Sequence, residues 1–119
     1  MLADIMNLST AEDVNTLSDA TLLARSQREP DLFAILVRRY EAALLRRARK
    51  ILFSQEDAEE AVQDAFTKMY LYADKYHEQE GASFSSWAYT ILNRVAYTKY
   101  VARRKEGGQR AELEPEHYE

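Results

Sequence analysis

The 22 residues from Phe84 to Lys105, FSSWAYTILNRVAYTKYVARRK, combine aromatic rings with positive charges at helical spacing. They hold five basic residues and no acid, although the whole 119-residue chain has a net charge of -4. Guanidinium and ammonium groups pair with phosphates and aromatic rings stack on bases, so this composition indicates a nucleic-acid-binding surface. The polar and aromatic residues on this face are Tyr89, Asn93, Arg94, Tyr97, Tyr100, Arg103 and Arg104.

A single long helix is predicted to position these residues, because the apolar side chains of the same stretch recur every three or four residues. That spacing gathers them on one buried side. For Tyr89 we favour packing into the core over stacking on bases, whereas Tyr97 and Tyr100 fit either role. The apolar residues are Phe84, Trp87, Ala88, Ile91, Leu92, Val95 and Ala96.

A second positive region lies between Phe33 and Ile51, where six basic residues stand against one acid, Glu41. Basic charges on two helices would form one continuous phosphate-binding surface. Alternatively, some of these cations complement the negative end of the helix dipole or pair with acids on the next helix. Both interpretations stay open for each of Arg38, Arg39, Arg46, Arg47, Arg49 and Lys50.

An acidic stretch follows from Glu56 to Asp64, with no base before Lys68. Acids at a helix start are stabilised by the positive end of the dipole, which accounts for most of this stretch. The dipole does not explain why Glu60, Gln63 and Asp64 share one exposed strip. We expect this strip to dock a basic protein surface, and we expect the negative strip and the positive helix to form two separate flanks.

Several kinds of chemistry have no signature in this chain. It contains no cysteine and two histidines, which excludes disulfides, thiol chemistry and the common zinc sites. There is no phosphate-binding glycine loop and no HExxH motif, and His77 and His117 are expected at the surface. We therefore expect no enzyme, and we assign no catalytic, cofactor-binding or metal-binding residue. Because no apolar run reaches the ~20 residues of a membrane span, a cytoplasmic protein without membrane insertion is expected.

The fold class is predicted to be all-α, because the chain has only three glycines and two prolines and lacks strand-like alternation. Ser18 is a suitable cap for a short first helix, and Pro30 suits the first position of a second. Ser54 resembles the start of a capping box for the third helix. Gly107-Gly108 is expected to end the fourth. The expected structure is a compact bundle of three long helices plus a shorter N-terminal helix.

One domain with two different ends is expected from length and composition. A chain of 119 residues that is 46% hydrophobic and 30% charged can form a single modest core. Residues 1–17 are polar and weakly periodic, so we expect a flexible N-terminal segment. Residues 18–105 form the predicted domain, and residues 106–119, with five acids and one base, form an acidic linker or tail.

Three motifs occur in a fixed order: Val62-Gln63-Asp64-x-Phe66, then Ala73-Asp74-Lys75-Tyr76, then Phe84-x-x-Trp87. They lie within LSDATLLARSQREPDLFAILVRRY, EDAEEAVQDAFTKMYLYADKY and FSSWAYTILNRVAYTKYVARRK. In this order and spacing the chain resembles region 2 of bacterial sigma factors of the extracytoplasmic-function type, group 4. The similarity covers about residues 17–105.

The resemblance implies two binding surfaces. Glu60, Gln63 and Asp64 would contact the clamp helices of the largest subunit of the RNA polymerase core. The loop that begins at His77 would capture a base flipped out of the promoter -10 element, with polar side chains reading its edges and basic ones holding phosphates. The residues implied to bind DNA are Lys75, His77, Glu78, Gln79, Ser83, Trp87, Tyr89, Asn93, Arg94, Tyr97, Arg103 and Arg104.

The predicted function is therefore -10 recognition and strand melting in transcription initiation. The resemblance also implies an anti-sigma factor as a partner and, in complete sigma factors, a second helical domain that reads the -35 element. The acidic tail is similar to the family's linker to that domain. Two alternatives remain: a helical adaptor that binds protein through its acidic strip and has no DNA role, and a bundle that binds a small ligand or metal.

Overall fold

The computed structural model describes residues 13–77 and 83–111. This part of the chain contains four α-helices, three short 3-10 turns and no strand. The prediction of an all-α fold with a short first helix and three longer ones is confirmed. The helices are α1 (Asp19–Ser26), α2 (Phe33–Ile51), α3 (Gln55–Leu71) and α4 (Phe84–Ala111), and the turns are Val14–Thr16, Pro30–Leu32 and Ala73–Lys75.

Serine hydroxyls cap the helix starts as predicted. Ser18 Oγ accepts a hydrogen bond from the backbone N–H of Thr21, and Ser54 Oγ accepts one from the N–H of Asp57, both at 3.1 Å. These bonds satisfy donors that have no partner inside the helix. Pro30 opens a 3-10 turn instead of α2 itself, which begins at Phe33.

The core lies where α2, α3 and α4 pack together, with α1 against α2. On α3, alanines at buried positions allow the helices to approach closely. Ile35 and Leu36 are both buried on α2, and α1 packs against the same helix. The buried apolar residues of α3 and α4 are Ala58, Ala61, Val62, Ala65, Phe66, Met69, Phe84, Ala88, Leu92 and Ala96.

The C-terminal end of α4 differs from the prediction. Helix α4 does not end at Gly107-Gly108 but continues to Ala111. A glycine ends a helix mainly by adopting a left-handed conformation, and Gly107 does not adopt one. At the N-terminal end, Val14 and Leu17 are partly buried and pack against the core. Residues 1–12 of the predicted flexible segment and 112–119 of the predicted tail lie outside the described residues.

None of the helices in the described ranges combines the length and the apolarity needed to cross a membrane. Within the same ranges, no group of histidine and acidic side chains is arranged to hold a metal ion.

Candidate functional site

Ion pairs join α3 to the second half of α4. Arg103 donates from Nε and Nη2 to the two carboxylate oxygens of Asp57, each at 2.9 Å, and from Nη1 to Glu106 at 3.1 Å. The Arg103 hydrogen bonds lower the pKa of Asp57, and the carboxylates raise the pKa of Arg103. Lys99 pairs with Glu60 nearby. The expected separation into two flanks is therefore wrong, because acids of α3 and cations of α4 attract each other across one seam.

A groove of about 700 Å³ runs along this seam between α3 and α4. Its lining combines apolar and aromatic side chains with four cations and one carboxylate. Such a lining accepts a flat aromatic group and neutralises an anion beside it. The apolar residues of the lining include Trp87, Ile91 and Val95, and the charged ones are Lys68, Lys75, Arg94, Lys99 and Asp64.

A smaller pocket of about 380 Å³ adjoins the groove at the start of α4. The two share Lys75, Trp87 and Arg94, and the pocket adds His77 and Ser83. It therefore brings together five residues that were predicted to bind DNA. Ser83 has a fixed position because its Oγ accepts the backbone N–H of Ser86 at 3.1 Å. The predicted base-reading residues Glu78 and Gln79 lie outside the described residues.

Trp87 is held in place by an aromatic cluster. Its ring centroid lies 5.2 Å from that of Tyr76 and 5.8 Å from that of Phe84, and Phe84 lies 5.4 Å from Tyr40. The Tyr40 hydroxyl donates to Asp19, which ties α1 to the cluster. Burial and this hydrogen bond raise the pKa of Tyr40 to about 12. Trp87 thus packs against the core, as its place in the apolar stripe predicted, and it also lines the groove.

Another group of predicted DNA-binding residues lies away from the Trp87 groove, on a different side of α4. Tyr97 is 62% exposed, and its ring stacks on that of Tyr100 with centroids 6.2 Å apart. Arg104 donates to the Tyr100 hydroxyl at 3.1 Å. Tyr89 is half-buried under the guanidinium of Arg47, which lies 6.0 Å from its ring centroid.

Asn93 is half-buried, and its Oδ1 is enclosed without a hydrogen-bond partner among the described residues. An enclosed acceptor of this kind costs free energy unless a donor reaches it. Asn93 therefore differs from the exposed Arg94 beside it, which lines both the groove and the smaller pocket.

The acidic strip is exposed on α3 as predicted. Glu60 is paired with Lys99, Asp64 lines the groove, and Gln63 keeps its side chain in solvent. Among the described residues, no arginine of α2 pairs with an acid of α3. The ion pair of α2 is instead between Arg39 and Asp19 of α1, at 2.8 Å.

Some groove residues were not singled out as site residues from the sequence. Lys68 lines the groove from α3, and Thr98 lines it from α4. Spacing gives a partial signal, since Lys68 follows Asp64 by four residues on the same helical side. Whether α4 faces that side of α3 depends on tertiary packing, which spacing alone does not define.

Together these features define an all-helical binding module, with charged and aromatic grooves along its longest helix. A family model for sigma-70 region 2 matches residues 36–106, more than half of the chain, and the chain belongs to this family. No curated protein and no solved structure was found to match. The family consists of transcription initiation factors, whose region 2 binds RNA polymerase and promoter DNA and takes part in promoter melting.

Proposed function

We propose that this chain is the -10 recognition and strand-melting domain of an extracytoplasmic-function sigma factor, working in the cytoplasm on the RNA polymerase core. One observation carries the proposal: Lys75, His77, Ser83, Trp87 and Arg94 converge at the groove and pocket beside the start of α4. A base leaving the duplex costs a few kcal/mol of stacking, which an aromatic pocket with cations at its edge replaces.

In this proposal the groove residues divide the work of holding an unpaired strand. Trp87 offers an aromatic surface whose position is fixed by Tyr76 and Phe84. Lys75 and Arg94 neutralise phosphates, because neither forms a salt bridge within the described residues. His77, Ser83 and the neighbouring Glu78 and Gln79 read base edges.

The acidic strip is the proposed contact with the clamp helices of the largest polymerase subunit. Gln63 and Asp64 are exposed and form no hydrogen bond or ion pair through their side chains among the described residues, so they are available to a partner. Glu60 is held by Lys99, which fixes its carboxylate against α4 before polymerase arrives. An anti-sigma factor would block initiation by covering the same strip and groove.

Arg103 has a different role in this proposal from the one expected of it. Three of its donors are used by Asp57 and Glu106, so we assign it to holding α4 against α3 instead of to direct DNA contact. Tyr97 and Arg104 are exposed and remain proposed DNA contacts at the outer edge of α4.

The polymerase contact is tested by pull-down of purified core enzyme with the double variant Gln63→Ala/Asp64→Ala. We expect loss of most of the captured core. The matched control is Gln55→Ala/Glu41→Ala, which removes one amide and one acid from exposed positions outside the strip. Equal capture by both variants would contradict the proposed contact.

The DNA contact is tested with the chain bound to core enzyme and a library of partly unpaired duplexes with random sequence. We expect enrichment of one short motif, and we expect Lys75→Gln/Arg94→Gln to abolish that enrichment while core binding is retained. If core binds and no motif is enriched with the unmodified chain, the molecule is a protein-binding adaptor without a DNA role.

A further inference from the structure

Helix α1, which lies wholly within the described residues, contributes no side chain to the lining of the groove or of the pocket beside the start of α4. Its two ends are nevertheless joined to the segments that form this pocket. The helix also precedes residues 36–106, the stretch that matches the family model. Its connections to the pocket are therefore not part of the family match.

The C-terminal end of α1 is bonded to the C-terminal end of α3. Gln27, which follows the last residue of α1, donates from Nε2 to the backbone carbonyl of Tyr70 at 3.2 Å. Tyr70 lies in the last turn of α3, where carbonyl groups lack a partner farther along the helix. Its ring also contacts that of Phe33 edge to face, with centroids 5.3 Å apart. The last turn of α3 is thus held both through its backbone and through a side chain.

The segment that supplies Lys75 to the pocket comes directly after this turn of α3. The 3-10 turn Ala73–Lys75 begins three residues after Tyr70 and packs against α1. The backbone N–H groups of Lys75 and Tyr76 donate to the carbonyls three residues back, at 2.8 and 3.1 Å. The ring of Tyr76 then lies 5.2 Å from that of Trp87. The position of the last turn of α3 therefore determines where Lys75 and Tyr76 lie at the pocket.

The N-terminal end of α1 is connected to the other side of the pocket. Asp19, the first residue of α1, accepts hydrogen bonds from the Tyr40 hydroxyl and from Arg39. The Tyr40 ring lies 5.4 Å from that of Phe84, where α4 begins, and Phe84 lies 5.8 Å from Trp87. One end of α1 is thus connected to each side of the pocket.

We propose that α1 is a brace that fixes the two sides of the pocket relative to each other, and that Gln27 is a positioning residue for Lys75. The inference rests on the proposed function, in which Lys75 neutralises a phosphate beside the base held at Trp87. Gln27 itself does not touch that ligand. A binding site requires its side chains to be held within about 0.5 Å of the productive geometry, so a hydrogen bond behind the site affects binding at the site.

The first test measures promoter binding by polymerase core assembled with variants of the full chain. Gln27→Glu keeps the size of the side chain and removes the donor, whereas Gln27→Lys supplies a donor again. Gln55→Glu is the matched control, because the Gln55 amide bonds to Glu59 at the opposite end of α3. The probe is a partly unpaired duplex that carries the motif enriched from the random library.

We expect Gln27→Glu to bind this probe about fivefold more weakly, the effect of losing one net hydrogen bond. Gln27→Lys and Gln55→Glu should bind within about twofold of the unmodified chain, and all three variants should capture core enzyme equally. A general loss of the fold would reduce core capture together with DNA binding, and lysine would not rescue it. Either of these results, or equal DNA binding by Gln27→Glu and Gln55→Glu, would overturn the positioning role.

The second test needs neither DNA nor polymerase. It follows amide hydrogen exchange in the free chain at Lys75 and Tyr76, whose N–H groups are bonded within the turn. Gln27→Glu should speed their exchange about fivefold and Gln55→Glu should leave it unchanged. Unchanged exchange in Gln27→Glu would overturn the brace.

The two tests separate this inference from the function on which it rests. If the unmodified chain with core enriches no motif, the proposed function fails, and the exchange at Lys75 and Tyr76 still decides whether α1 is a brace. If a motif is enriched and Gln27→Glu behaves as Gln55→Glu does, the brace fails and the proposed function stands.

Discussion

Arg103 and Arg104 are neighbours in the chain with different surroundings. Arg103 reaches back to Asp57 of α3 with two hydrogen bonds of 2.9 Å, whereas Arg104 lies over the ring of Tyr100 and faces solvent. A cation that is paired in a salt bridge inside the molecule helps to hold α4 in position. A cation without such a pair is available to a ligand. At the level of single residues, the pairing of each cation is therefore a better guide to its role than its presence in a basic stretch.

The Arg103 hydrogen bonds make a prediction for Asp57→Asn in acid. Because they lower the pKa of Asp57 below its ordinary 3.8, the ionised carboxylate stabilises the fold at neutral pH. This stabilisation is full above that ordinary value and is lost as the pH falls through the lower folded value. The variant should melt at a lower temperature than the unmodified chain at pH 7, and the difference should shrink as the pH falls below about 4.

Thermal unfolding followed by circular dichroism between pH 2 and pH 7 measures this difference. Asp64→Asn is the matched control, since it makes the same change on α3 at an exposed side chain without an arginine partner. A difference for Asp57→Asn that is as large at pH 2 as at pH 7 would contradict the prediction.

Tyr40 gives a prediction at the opposite end of the pH scale. Its folded pKa of about 12 lies above the ordinary 10.0, first because of burial and then because of the bond to Asp19. The neutral phenol therefore stabilises the fold fully below pH 10, and this contribution is lost as the pH rises towards 12. Tyr40→Phe should lower stability at pH 7 by about 1.5–3 kcal/mol and remove that alkaline loss. Urea unfolding at pH 7 and pH 11 measures the free energy of unfolding of the variant and of the unmodified chain. Tyr72→Phe, at an exposed position, is the control.

At the scale of elements, local patterns predict the helices well, and tertiary contacts account for the differences. The serine caps at Ser18 and Ser54 and the apolar stripe of α4 follow from short-range spacing, and the structure confirms them. The pair Asp57 and Arg103 is separated by 46 residues, so no local pattern indicates it. The same limit applies to the groove, whose lining comes from two helices. Spacing identified the charged faces, but only packing shows that they meet.

The length of α4 is the clearest difference at this scale, and it makes a prediction for Gly107→Ala. An added Cβ at Gly107 meets nothing within 4 Å, and the backbone there is helical. Alanine is favoured over glycine inside a helix by about 1 kcal/mol per residue. The variant should show more helical signal and slower amide exchange around residue 107, with little change in the global melting temperature because the position lies beyond the core.

Hydrogen exchange and circular dichroism of Gly107→Ala, compared with Gly107→Pro, measure this effect. Proline removes a backbone donor from the helix interior and should release the residues that follow. If alanine left both the signal and the exchange unchanged, the helix would end at or before this position in solution.

At the scale of the whole molecule, charge is unevenly divided between helices. The chain as a whole carries a net charge of -4, while α4 up to Lys105 carries no acid. Part of that positive charge is neutralised inside the molecule by Asp57 and Glu60. Among the described residues, other cations form no salt bridge, and they include Lys68, Lys75 and Arg94 at the Trp87 groove and Arg46, Arg47 and Lys50 in a pocket between α2 and α4.

The charge balance predicts that the full chain binds ordinary duplex DNA only weakly. Because the net charge of the chain is negative, its dissociation constant should lie in the non-specific range of about 10⁻⁴–10⁻⁶ M at physiological salt. Affinity should fall further as salt rises, because each phosphate contact releases counterions.

Adding RNA polymerase core should strengthen binding to promoter DNA by orders of magnitude, since the core fixes the domain against a strand that is already being unpaired. Titration with and without core over a salt series measures both effects, with core alone as the control. Nanomolar binding of the isolated chain to duplex DNA at physiological salt would show that its cations reach the backbone without polymerase, and would contradict the division of charge described above.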